Sequence, residues 1–535
     1  MRKTFIRIAP FFVVLLTLYN CAKRGTPTGG PKDETPPVVV KTTPDNNTLN
    51  FKAKEIDIAF DEYIKLKDIQ KQLIISPPLK NRPEITPQSF ASKEIKIVIN
   101  DTLQENTTYV FNFGQSIVDN NEGNPYPFYK YVFSTGDYID SLKVKGFITD
   151  SYLQKADSYV SVMLYKVDST FTDSIIYKKP PMYITNTLDS LTTFELTNLK
   201  AGKYMMVAMK DKANNNIFNP GKDKIAFLDH YITVPTDSTY RLNLFSEIPP
   251  YKASRPEQAA GNRIIFGYTG LPDDTRIDVL NKTSDQIKYG ITKDLEKDTL
   301  NFWYTPKKQD SLVFKVSHKE MIDTFTVRLK DLKLDTLNIK SAGKSTISMN
   351  DSYAFNVTTP IAKIDTAKIK IFDKDSTRMS YVTSIDTLMN QLKLKWNTVP
   401  DQKYKITLYP SAIQDLFGKV NDTLQFSAST KKLSELSEVR VKLANVKNYP
   451  VIIQLTNDKG EVKYEQYATD LKAYYDFKYI DPGKYLLRVI FDTNKNHKWD
   501  TGNYLKHQQP ERISYYPTVV EALTNWIVEE NFRLE

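Results

Sequence analysis

The chain has 535 residues, enough for three to five domains at roughly 100–200 residues each, so a single hydrophobic core is excluded. Its formal charge of +10 comes from 73 basic and 63 acidic side chains spread along the whole length; this weak excess excludes a nucleic-acid polycation, and no nucleic-acid partner is expected. Aromatic residues at 12% exclude the disordered and fibrous classes, while one cysteine and four histidines leave no disulfide framework and no thiolate or histidine-rich metal centre.

At the amino terminus, Arg2, Lys3 and Arg7 precede an apolar stretch from Ile8 to Tyr19. That stretch is too short to span roughly 30 Å of hydrocarbon as a helix, and it reads as a signal peptide over residues 1–20. Cys21, the one cysteine, follows directly in Leu18-Tyr19-Asn20-Cys21, which resembles a lipobox. The resemblance implies a diacylglycerol on Cys21 and attachment to the cell outer membrane through that lipid, with the leaflet left open. An ordinary secretory signal is the alternative, and against it stands the missing Ala-x-Ala cleavage site. Residues 21–37 are rich in Pro, Gly and Thr, a composition that suits a tether.

Beyond the tether, period-two alternation dominates, as in Ile56, Ile58 and Phe60 against Asp57, Ala59 and Asp61. Half-buried strands have this signature. Clusters such as Asn120-Asn121-Glu122-Gly123 mark turns at short spacing. The fold class is therefore all-β, with sandwiches expected end to end. Internal echoes order them. Leu196, Leu199, Gly202, Lys203, Tyr204, Asp211, Phe218 and Gly221 recur without a gap as Phe477, Ile480, Gly483, Lys484, Tyr485, Asp492, Trp499 and Gly502. This repeat defines a module B at 140–247 and 434–535. A looser echo links Tyr109, Ile117, Asp119 and Phe133 with Tyr404, Ile413, Asp415 and Phe426, defining a module A at 35–137 and 338–431. A third segment, C, fills 255–335, giving the order A-B-C-A-B. Fragments 35–250 and 338–535 are expected to fold independently.

Asp61-Glu62-Tyr63, Ile75-Ser76-Pro77, Asn106 to Tyr109, Ile117 to Asn124 and Phe133 to Gly136 resemble the bacterial Ig-like domains of the SbsA type found in Bacteroidota lipoproteins. The resemblance covers about 100 residues of the first A module. It implies a β-sandwich, an envelope location and no enzymatic activity within that domain. Module B more loosely resembles prealbumin-like accessory sandwiches, an analogy of fold alone.

The candidate site residues lie in the polar loops of the B modules. Asp492, Asn494, Asn496 and Asp500 stand at positions 1, 3, 5 and 9 of an EF-hand-like loop, whose oxygens would suit Ca2+. His497 replaces the usual glycine of that pattern, and Asn503 stands where the bidentate glutamate belongs. The matching loop has Asp211, Asn215 and Asn219, with Ala213 at the third position, and should bind more weakly. The other reading of both loops is an Asx turn whose side chains bond their own backbone. The four histidines His230, His318, His497 and His507, the adjacent pair Asp61-Glu62, and the tyrosine pairs Tyr474-Tyr475 and Tyr515-Tyr516 offer weaker catalytic or sugar-stacking options. No phosphate loop or nucleophile elbow is present. The expected function is that of a non-enzymatic, lipid-anchored binding or scaffold protein. Its partner would be another envelope protein, such as an outer-membrane β-barrel complex. The alternative is a carbohydrate-binding surface lipoprotein.

Overall fold

The computed structural model describes residues 33–534 except 189–190, 282–286, 306–309 and 350. Cys21 and the signal segment lie outside the described residues. Strands dominate, and the helical segments described are short turns such as Ile69–Gln72 and Asp173–Tyr177. The fold is all-β, built of Ig-like and related sandwiches in tandem. Two compact units divide after Ser141.

In the first unit, strand Glu55–Leu66 pairs antiparallel with Val39–Thr43 and Ser92–Val98. A second sheet joins Ile74–Ser76, Thr108–Asn112 and Lys130–Ser134. The alternation read from the sequence sends Ile56, Ile58 and Phe60 into the core, where they meet Phe111 and Phe133. Each such side chain contributes about 1.5–3 kcal/mol on burial, and the stack of Phe51 on Phe133, 3.9 Å between centroids, closes the sandwich.

Among its described residues, the second unit has four cores, lying within residues 144–244, 251–327, 339–428 and 439–534. The sequence echoes correspond to repeated hydrogen bonds. The Tyr109 hydroxyl accepts the Gln104 N–H at 2.9 Å, and the Tyr404 hydroxyl accepts the Val399 N–H at the same distance. Thr135 and Thr430 each donate a 2.6 Å bond, to the carbonyls of Gln104 and Val399 respectively. In the other repeat, the last strand runs parallel to the first: Thr239–Ser246 beside Leu142–Asp150, and Ile527–Arg533 beside Ser437–Ala444. Tyr204 and Tyr485 each donate a hydroxyl hydrogen bond to the carbonyl four residues earlier, at 3.0 and 2.7 Å.

The end-to-end arrangement expected from the patterning does not describe the second unit. Pro249 packs between Gly221 and Gly270, where a Cβ would fall 2.9 and 2.7 Å from it and where φ is +78° and +81°, so glycine is required on both counts. The Lys293 N–H bonds the Leu388 carbonyl at 2.6 Å, and Lys431 pairs with Asp481 at 2.7 Å. Residues 434–535 then return to residues 142–247 through a buried contact, which completes a circuit of four sandwiches. Patterning reports which face of a strand is buried, and it carries no information on which sandwich covers which. A cut between 250 and 338 would separate two halves of this contact and expose its aromatic residues.

Candidate functional site in the paired loops

Each polar loop leaves a long strand, Gly202–Lys210 or Gly483–Phe491, and is clasped by two carboxylates. In the first copy, Asp211 accepts the N–H groups of Ala213 at 2.9 Å and Asn216 at 2.7 Å. Asp223 accepts those of Lys212 at 2.9 Å and Asn219 at 2.8 Å. In the second copy, Asp492 accepts from Asn496 and His497, both at 3.0 Å. Here Glu511 takes the place of Asp223, accepting from Thr493 at 2.7 Å and Asp500 at 3.2 Å. Lys212 and Thr493 both stand ten residues after their turn glycine, and Asn219 and Asp500 both stand seventeen after it. The clasp is therefore the same device twice. Lys495 and His497 are held left-handed at φ 62° and 65° where the first copy has Asn214 and Asn216, and His497 stacks on Tyr467 at 3.7 Å.

All four residues singled out in the second loop come together. Asn494 and Asn496 both donate to Asp500, the latter at 2.7 Å, and Asp492 is buried. In the first loop, Asn215 accepts the Ile217 N–H at 3.0 Å, while Asn219 donates to the Ile217 carbonyl at 2.9 Å and to Asp223 at 3.0 Å. Asp223 and Glu511 were missed by the loop pattern. Glu511 was hidden because the second copy carries seven extra residues between Asp500 and Glu511. Main-chain donors already occupy both carboxylate oxygens of Asp492 and of Glu511. Asp492→Ala is therefore expected to cost about 1–3 kcal/mol through the N–H groups it orphans. Millimolar calcium is expected to leave the melting temperature of the intact chain unchanged; a rise would assign the oxygens to a cation.

The inserted stretch in the second copy carries the contact between copies. Tyr504 is buried; its N–H donates to Glu247 and its hydroxyl to the Asp173 carbonyl at 2.9 Å. Its ring meets Phe227 edge-on at 5.3 Å. His507 lies 2.9 Å from the Asp173 carboxylate, and Gln509 donates to the Phe227 carbonyl at 2.9 Å. On the other side of the loop, Arg488 is fully buried. It donates to Gln454 at 2.7 Å and to the Tyr152 carbonyl at 2.8 Å, with its guanidinium 4.1 Å from the Tyr152 ring centroid. Tyr152 in turn packs on Trp499 at 4.7 Å.

The weaker candidates serve structural contacts. His318 stacks on Tyr251 at 4.1 Å, and His230 pairs with Asp229 at 2.7 Å. Tyr475 is buried and donates to the Asp470 carbonyl at 2.6 Å; Tyr515 donates to Tyr152 and Tyr516 to Glu530. Asp61 caps the Val38 N–H at 2.8 Å. Burial, with the charges of Asp119 and Asp61, pushes the Glu62 carboxyl up. Desolvation would raise Asp119 too, but N–H donors from Asn121, Glu122, Gly123 and Asn124 outweigh it and hold the carboxyl below its ordinary range. A depressed carboxyl contributes stability that is present above its unfolded value of about 3.9 and lost as pH falls through the folded one. Asp119→Asn is therefore expected to flatten the acid limb of the melting-temperature profile. Among the described residues, no group of three or more His, Cys, Asp or Glu side chains is placed to hold a metal.

Residues 33–135 match the bacterial Ig-like domain family. No curated protein matches the chain. Among solved structures, the S-layer protein SbsC is similar at 13% identity, covering 90% of this chain and 67% of that one, with a TM-score of 0.16. BcpA, the major pilin subunit of Bacillus cereus, is similar at 11% identity over 74% of this chain and 99% of its own, TM-score 0.14. An I-band fragment of titin follows at 12% identity, 53% and 99%, TM-score 0.12. At these TM-scores the likenesses carry no argument about function.

Proposed function

We propose that this chain is a non-enzymatic scaffold of the cell envelope, anchored to the outer membrane by a lipid on Cys21 and presenting its sandwiches to an envelope protein partner. The reading is carried by one observation. Of the side chains that sequence patterning singles out as chemically suggestive, the loop carboxylates and amides clasp their own loops, Asp61 caps a strand, and His507 and Tyr515 join the two B copies. Groups committed in this way hold the shape of their loops and contacts, which suits a scaffold. A lipid at the start of a Pro- and Gly-rich tether would let such a body reach a neighbouring complex while remaining membrane-bound.

Intact-mass measurement of the detergent-extracted protein should show an amino terminus at Cys21 with acyl chains attached, and Cys21→Ser should release the protein from the membrane fraction. An unmodified terminus beyond residue 21 would remove the anchor. Mild detergent extraction should recover the chain with a stoichiometric envelope partner, such as an outer-membrane β-barrel protein. Recovery as a free monomer under those conditions would remove the scaffold role.

A further inference from the structure

We propose that the cleft between the sandwiches of residues 251–335 and 336–431 binds a neutral, hydroxyl-rich oligosaccharide, with Arg263 as its main donor. The cleft encloses about 460 Å³, a volume suited to a small ligand, and it lies between two sandwiches, where such sites concentrate. Strands Tyr289–Lys293 and Ile339–Ser341, each at the edge of its sheet, contribute to its walls.

Arg263 is fixed before any ligand arrives. Its guanidinium lies 5.2 Å from the ring of Trp303, and the Trp303 indole is itself locked by a 2.9 Å hydrogen bond to Thr292. Nη1 donates to Asn301 at 3.3 Å. Nε sits 2.8 Å from Asp335, an ion pair rather than an aligned hydrogen bond. The side chain still keeps 27% of its surface open. A planar fork held on three sides loses little freedom when it donates to a ligand, and two adjacent sugar hydroxyls offer it two acceptors at matching spacing.

The rest of the lining decides the ligand class. Arg263, Lys293 and Lys340 are balanced by Asp294, Glu296 and Asp335, so the walls have no net formal charge to select an anion or a cation. Asn301, Asn338 and Asn356 add side chains that can both donate and accept, while Leu295, Val357 and Met389 add apolar surface on which the C–H faces of a sugar ring can lie. A chain of neutral hydroxyls, each donor and acceptor at once, uses such a surface most fully. This site does not depend on the scaffold reading, since a partner protein and a sugar would be detected separately.

The test is titration of the intact, detergent-solubilised chain with neutral hexasaccharides (cello-, malto-, laminari-, xylo- and mannohexaose), followed by calorimetry and saturation-transfer NMR. At least one should bind saturably, with an affinity that holds steady between about 50 and 500 mM salt, because no net charge is involved. Arg263→Lys keeps the charge but loses the fork, and should weaken binding roughly tenfold. Asn338→Ala alters an exposed rim side chain and should weaken it several-fold with an unchanged melting temperature, so the test survives if the arginine variant folds poorly. Absence of saturable binding to all five sugars would overturn the proposal, as would binding indifferent to both substitutions. Tighter, salt-sensitive binding of an oligogalacturonate would overturn the neutral class.

Discussion

Tyr504→Ala is expected to destabilise the intact protein by about 3–5 kcal/mol, the range for truncating a buried aromatic side chain in a packed interior. Tyr504 is 1% exposed, although it stands in a loop of the second B copy, because the first copy supplies its surroundings. Its ring lies against Phe227, Tyr177 and His507. Tyr504→Phe removes only the hydroxyl, with its bonds to the Asp173 carbonyl and to the Met205 sulfur, and should cost about 0.5–1.5 kcal/mol. Both variants keep the main-chain N–H that Glu247 accepts, so the difference between them isolates the ring. Chemical denaturation of the three proteins checks this, with limited proteolysis reporting whether the loop around residue 504 opens first. A Tyr504→Ala protein within 0.5 kcal/mol of the parent, the usual span for a surface substitution, would mean that the two copies are not joined here.

That contact marks the boundary of what the sequence discloses. The strand faces were legible: Ile56, Ile58 and Phe60 point inward as their alternation requires, and the repeat anchored on Gly202 and Gly483 predicts two loops that share one hydrogen-bonding scheme. Asp211 and Asp492 were legible as loop openers because short polar side chains prefer their own backbone. The partners that complete each clasp were not, since Glu511 is displaced by an insertion and Asp223 lies outside the EF-hand spacing. Nor was the pairing of the copies, which depends on Tyr504 and Arg488. In sequence, the first is one more aromatic in a polar stretch, and the second is an arginine in a strand that otherwise reads as buried. An arginine at such a position is the more telling signal, because a buried charge must find partners, but nothing local says that one of them lies more than three hundred residues away.

Arg488→Ala should therefore be the other severe substitution, at about 3–5 kcal/mol, comparable with removing one member of a buried ion pair. Among the described residues, Arg488 donates to no carboxylate. Its charge is spread over the Gln454 side chain, the Tyr152 and Gly460 carbonyls, the Tyr515 hydroxyl and the Tyr152 ring, and Gln454 relays it to Glu465 through a 2.6 Å bond. Alanine would leave a cavity and orphan these acceptors together. Methionine fills much of the space yet leaves the acceptors unpaired, at about 1–3 kcal/mol for each that water cannot reach. Lysine keeps the charge but cannot serve several acceptors and a ring face from one planar group. All three variants should be less stable than the parent, with alanine lowest. Their shared signature should appear in the first copy: faster amide exchange around Tyr152 and Leu153, whose contacts with Arg488 and Gly460 come from the second. If Arg488→Ala lowers stability while exchange at Tyr152 stays at the parental rate, the arginine stabilises only its own sandwich, and closure of the circuit must rest on Tyr504 and its neighbours alone.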